Sequence, residues 1–141
     1  MVAILGIASV ASLQIGSLLQ RRAAEEELLR IGSAFQNALI AYSNATPPGQ
    51  SHGPRSLDEL LKDPRYPGIR RYLRQLYVDP LTGKSEWGVV ESPENSSIIG
   101  VFSLSEATPI KIANFESEFA DFTGKTSYRD WQFIVPANLP H

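Results

Sequence analysis

Apolar residues fill the start of the chain almost without interruption. Met1 to Gln20, MVAILGIASVASLQIGSLLQ, contains no charged residue, and as a helix rising about 1.5 Å per residue it would reach roughly 30 Å, the thickness of a bilayer core. Ser9, Ser12, Gln14, Ser17 and Gln20 dilute the run, while Gly6, Ala8, Ala11 and Gly16 are small enough to admit a second helix closely. The pattern then changes without stopping. Leu28, Ile31, Phe35, Leu39 and Tyr42 recur every three or four residues, with Glu25, Glu26, Arg30 and Gln36 set towards solvent or neighbours. One helix is therefore predicted, ending near Asn44 because Pro47, Pro48 and Gly49 cannot continue it. That is longer than an ordinary domain helix. Residues 1–20 read as a membrane-spanning or filament-core segment, 21–46 as its amphipathic continuation and 47–141 as a globular head.

After the break the period shortens. Gln50 to Arg55 reads as a loop, and Ser56-Leu57-Asp58-Glu59 is a capping-box pattern that opens a short helix closing by Asp63-Pro64. IRRYLRQLY, Ile69 to Tyr77, predicts a second helical turn, and Asp79 to Gly83 a tight turn. EWGVVES, SIIGVFSLS and DWQFIV are rich in β-branched and aromatic residues and predict three antiparallel strands. The expected fold is α+β, with the small sheet burying one face on the Phe35, Leu39 and Tyr42 side of the long helix.

Size and composition narrow this further. The chain has 141 residues, which suits one small head beside an N-terminal anchor. Its net charge of -2 and pI near 5.7 offer phosphate no general attraction. With no cysteine there is no disulfide framework and no thiolate chemistry. A secretory signal peptide or a buried core helix is the alternative reading of the apolar run. A signal peptide would carry a basic region first, whereas here Arg21 and Arg22 come after the run, and Ser9-Val10-Ala11 is a weak cleavage site.

VAILGIASVAS resembles the hydrophobic helix of type IV pilins and type II secretion pseudopilins. SLDELLKDPR, RRYLRQLYVDPLTGKSEWGVV, IIGVFSLSEATPIKIANF and GKTSYRDWQFIV look like blocks of one pseudopilin-like branch, and together they cover most of the chain. The resemblance implies a single-pass protein of the bacterial inner membrane, with its head in the periplasm. It implies as partners other pilin or pseudopilin subunits, inner-membrane lipid, an assembly platform driven by a cytoplasmic ATPase, and prepilin peptidase. In those families the helix comes after a basic leader, a glycine at the cleavage site and a Phe-Thr-Leu-type stretch with a glutamate. None has a counterpart here before Met1, so a start further upstream or a truncated product is expected, and cleavage and N-methylation fall on no residue of this sequence. A basic leader would also offset Arg21 and Arg22, which otherwise oppose export of the chain on their C-terminal side.

Within that picture, Ile4, Leu5, Gly6, Ile7, Val10, Leu13, Ile15, Gly16 and Leu18 are the candidate membrane and filament-core residues. Arg21 and Arg22 of one subunit facing Glu25, Glu26 or Glu27 of a neighbour are candidate charge contacts. Arg65, Arg70, Arg71 and Arg74, interleaved with Tyr66, Tyr72 and Tyr77, form a candidate basic surface. A solvated face or subunit contact is favoured there over nucleic acid. The resemblance to major pseudopilins implies a calcium site, but Glu118, Asp121 and Asp130 match neither an EF-hand nor that family's loop, so the residues themselves support no cofactor and calcium rests on the resemblance alone. Gly124-Lys125-Thr126 lacks the glycine five residues earlier that a phosphate loop needs, and His52 and His141 read as exposed. No Gly-x-Ser-x-Gly or obvious acid/base pair suggests an enzyme. The sequence therefore points to a structural subunit of a type II secretion pseudopilus or type IV pilus-like filament. A DNA-binding minor pilin and a signal-anchored periplasmic binding or enzymatic domain remain the other readings.

Overall fold

The computed structural model describes residues 2–136, with side chains from Ser17 onward. Helix α1 runs from Val2 to Asn44, 43 residues without a break, which at 1.5 Å per residue is about 65 Å long. A 3-10 turn comes next, at Leu57–Leu60. Glu59 accepts the Ser56 N–H at 3.1 Å, the return bond expected of a capping box. Strands β1 (Gly88–Glu91), β2 (Ile98–Phe102) and β3 (Phe133–Ile134) form one antiparallel sheet in the order β1-β2-β3. Val89 lies opposite Val101, which in turn faces Phe133, and a bulge after Val90 sets Glu91 opposite Ile98.

The sheet packs on α1 as the apolar spacing requires. Leu28, Ile31, Phe35, Leu39 and Tyr42 are all buried, together with Val101 and Phe133 from the sheet. Phe133 reaches the helix at Gly32, where an added Cβ would lie only 2.2 Å from the phenyl ring. The missing side chain is what lets the sheet close on the helix. Phe35 meets the Trp87 ring edge-on at 5.0 Å between centroids. A second aromatic layer surrounds Phe133. Phe122 stacks on Trp131 at 5.4 Å, and Phe115 and Tyr128 meet Trp131 edge-on at 5.4 and 5.2 Å. These offset and T-shaped geometries suit aromatic quadrupoles.

Elsewhere the local pattern misleads. Ile69 to Tyr77 forms no helix. Its backbone groups pair instead with the 3-10 segment: Arg70 offers its carbonyl to Asp63 N–H at 2.8 Å, and Tyr72 and Leu73 donate to the Leu60 carbonyl at 2.8 and 3.1 Å. Those partners replace the i to i+4 ladder, and Gly68 at φ +79° turns the chain into the new direction. DWQFIV contributes only Phe133 and Ile134 to the ladder, because Trp131 is drawn into the aromatic layer. Further 3-10 turns form at Ser117–Phe122 and at Tyr128–Asp130, the second capped by Ser127, whose hydroxyl accepts the Arg129 N–H at 3.2 Å.

Gly32→Ala should destabilise the fold. Overpacking against the Phe133 ring costs about 1–3 kcal/mol, against roughly 1 kcal/mol that alanine gains in a helix. Urea denaturation should show a lower midpoint for G32A, and an unchanged or higher midpoint would mean that the ring is not seated there.

Candidate functional site

The part of α1 from Arg21 to Asn44 is fastened to the head at both of its ends. At the C-terminal end the last turn carries no basic residue of its own, and its final carbonyls need donors. Arg65 supplies them from the connector. Its Nη2 donates to the Tyr42 carbonyl at 3.0 Å and its Nη1 to Thr46 Oγ1 at 2.6 Å, while the guanidinium lies 3.6 Å from the centre of the Tyr42 ring. Asp63 holds Arg65 in place through Nε at 2.9 Å and Nη2 at 2.8 Å, and also accepts the Tyr72 hydroxyl at 2.7 Å. His52 Nδ1 donates to the Ser43 carbonyl at 3.1 Å, and the Tyr66 hydroxyl donates to the Ala45 carbonyl. A cation at the negative end of the helix dipole is thus delivered by tertiary structure.

Nearer the start of the described side chains, Glu25 is buried. Its carboxylate accepts the Ile110 N–H at 2.8 Å, the Lys111 N–H at 3.2 Å and the Tyr128 hydroxyl at 2.9 Å. One turn earlier, Arg21 Nη2 donates to the Thr108 carbonyl at 2.7 Å and its guanidinium sits 5.7 Å from the Tyr128 ring centre. Residues 108–111 are therefore laced onto the helix.

This geometry corrects several expectations. Glu25 is buried and bonded inside its own head, which takes it out of the candidate charge contacts, while Arg21 is half-buried and gives one donor to the Thr108 carbonyl. Arg22 and Glu26 are exposed and stay candidates, while Glu27 pairs with Arg30 of its own helix, Nε to Oε2 at 3.0 Å. Arg65 leaves the basic surface because its side chain is buried against Asp63, and Arg70, Arg71 and Arg74 remain exposed. His52 is half-buried and engaged rather than exposed. The helical spacing assigned Glu25 to a polar face because it gives no account of a loop that returns over that face.

Of the candidate membrane residues, Leu18 is half exposed, at 50 %. Ile4, Leu5, Gly6, Ile7, Val10, Leu13, Ile15 and Gly16 lie outside the described side chains, and His141 outside the described residues. Among the described residues no helix is long and apolar enough to cross a membrane. Glu118, Asp121 and Asp130 are exposed, and among the described residues no group of three or more metal-ligating side chains converges. An open cleft of about 620 Å³ lies between Tyr42, Gly49, Arg55, Glu59 and Arg65, but Arg65 directs its donors inward, to Asp63, Thr46 and the Tyr42 and Ser51 carbonyls.

Burial raises the Asp63 carboxyl, but the bonds from Arg65 and Tyr72 outweigh it and hold the group at about 2, below the ordinary 3.8. Its contribution, on the order of 2 kcal/mol, is thus present above pH 3.8 and lost as pH falls through about 2. Asp63→Asn should lower stability by about 3 kcal/mol near neutrality by leaving Arg65 buried and unpaired, with a smaller deficit in acid. Urea denaturation of both proteins across that range measures it. Burial, and then the bond to Glu25, pushes Tyr128 up to about 12, and burial followed by the Glu59 charge does the same for Tyr42. Both favour the folded state below pH 10 and cease to do so as pH rises through about 12. Alkaline unfolding followed by tyrosinate absorbance should therefore show late, cooperative ionisation of these phenols, lost for one of them in Tyr128→Phe.

Compared with known proteins, the chain matches no protein-family model, no curated protein and no solved structure.

Proposed function

We propose that the chain is a structural subunit of a bacterial envelope filament of the pilin and pseudopilin type, a type II secretion pseudopilus or type IV pilus-like fibre that supports protein secretion. The carrying observation is the division of α1. From Glu25 to Tyr42 one face of the helix is buried in the head, whereas Ser17 to Gln20 are exposed, with Leu18 at 50 % and Leu19 at 61 %. Ahead of them the sequence stays uncharged back to Met1. A helix that needs only half its length to carry its own head offers the rest to lipid or to other helices.

In this reading the apolar half holds the subunit in the inner membrane, with the head in the periplasm. Extraction then moves the same surface from lipid into a bundle of subunit helices, where the small residues allow close packing. The clamps at Glu25 and Arg65 make head and helix move as one body, so a force on the helix is delivered to the head without peeling it away. Head-to-tail addition of identical subunits gives an open helical array rather than a closed ring. Arg22 and Glu26 are the charges left to adjust register between neighbouring helices. A nucleic-acid reading is weakened because Arg65 belongs to the clamp and leaves a shorter basic stretch.

The test is fractionation of the full-length protein in a bacterial host. It should sediment with membranes, resist salt extraction, yield cross-linked multimers, and expose its head to protease only when the outer membrane is opened. Leu18→Asp combined with Leu19→Asp should reduce the multimers while leaving the head folded. A freely soluble monomer at every concentration would sink the proposal.

A further inference from the structure

Two patches on the head each centre on an exposed isoleucine: the charges that follow the first are all basic, and those around the second are carboxylates in excess over lysines. In the first, Ile69 is 81 % exposed and is followed by Arg70, Arg71 and Arg74, all exposed. Arg70 lies over the Tyr66 ring at 4.3 Å, which holds its guanidinium against the surface. In the second, Ile112 is 58 % exposed, and its carbonyl accepts the Gly124 N–H at 2.9 Å, bringing the end of the Ser117–Phe122 turn beside it. Glu116, Glu118 and Asp121, on the segment that runs between Ile112 and Gly124, are exposed. Lys111, drawn over the Phe115 ring, and Lys125 border this patch and leave it an acidic excess. Among the described residues none of these arginines or carboxylates has an opposite charge within ion-pair distance. Large branched apolar side chains are not needed at such exposure for folding, and an apolar centre with a charged rim is how protein interfaces are built.

The patches also sit at different heights. The basic one hangs from the end of α1, through Arg65 on the Tyr42 carbonyl and Tyr66 on the Ala45 carbonyl. The acidic one hangs from Glu25 through the Lys111 N–H. Between those attachment points the helix rises about 26 Å. We infer that the Ile69 patch of one copy docks on the Ile112 patch of a second copy, head to tail. This rests on the filament reading, because subunits anchored by the same helix stand parallel and so meet through unlike surfaces. Each docked copy leaves one basic and one acidic patch open, which lets the contact propagate.

The chain has no cysteine, so the contact can be read by disulfide trapping in the full-length, membrane-inserted protein. Ile69→Cys mixed with Ile112→Cys should yield cross-linked dimers, and neither alone should. The chain carrying both should give a ladder of multimers. Arg70→Glu, Arg71→Glu and Arg74→Glu together should cut the yield by about tenfold or more, as should Glu116→Lys, Glu118→Lys and Asp121→Lys, and both sets in one chain should restore it. Circular dichroism of the variants checks that they are folded. A double-cysteine chain that stops at dimers, or an Ile69→Cys chain that pairs with itself, overturns the head-to-tail contact. Multimers that form without any cross-link between these positions overturn this contact and leave the filament reading intact, whereas a protein that is monomeric throughout overturns both. Binding of a DNA duplex that the arginine reversals abolish would reassign the basic patch to nucleic acid.

Discussion

One face of one helix carries the head. Leu28, Ile31, Phe35, Leu39 and Tyr42 make a continuous apolar stripe, and strands of four, five and two residues are too short to build a core without it. Gly32 opens a notch in that stripe for Phe133, and the remaining aromatics assemble around the ring so placed. The seating of the sheet and of the aromatic layer therefore depends on how closely Phe133 can approach the helix backbone.

With so little regular structure after α1, many backbone groups must find partners outside a ladder. Buried carboxylates meet part of that need. Glu25 takes the N–H groups of Ile110 and Lys111, Asp63 takes the N–H of Arg65, and Asp79 takes that of Leu81 together with the Ser103 hydroxyl. A fully bonded buried carboxylate is tolerable where an unbonded one would not be. Each also fixes a loop in a single arrangement, so the head keeps a defined surface although much of it is irregular.

The same contacts have a mechanical consequence. Because Glu25 and the Arg65 clamp grip α1 at points about 26 Å apart along its axis, the head cannot hinge about either point alone. Leu18 and Leu19 stay exposed ahead of these points, and Arg70, Arg71 and Arg74 stay exposed near the helix end. Intramolecular use of Glu25 and Arg65 leaves Arg22, Glu26, Arg70, Arg71 and Arg74 as exposed charges along the same two stretches of chain.

The sequence determined the features that arise from local periodicity. The length and end of α1, its buried stripe, the capping-box turn and the existence of three short β segments all come from spacing, proline placement and β-branched content, which act over a few residues. Tertiary structure alone decided which polar groups lie inside. Nothing around Glu25 announces that residues 108–111 will return over it, and nothing around Arg65 announces that a helix end will need its charge. Ile69 to Tyr77 has helical spacing, yet Leu60 and Asp63 offer its backbone better partners. Such outcomes depend on contacts between segments distant in sequence, whose energies no local pattern contains, and they set which residues remain exposed.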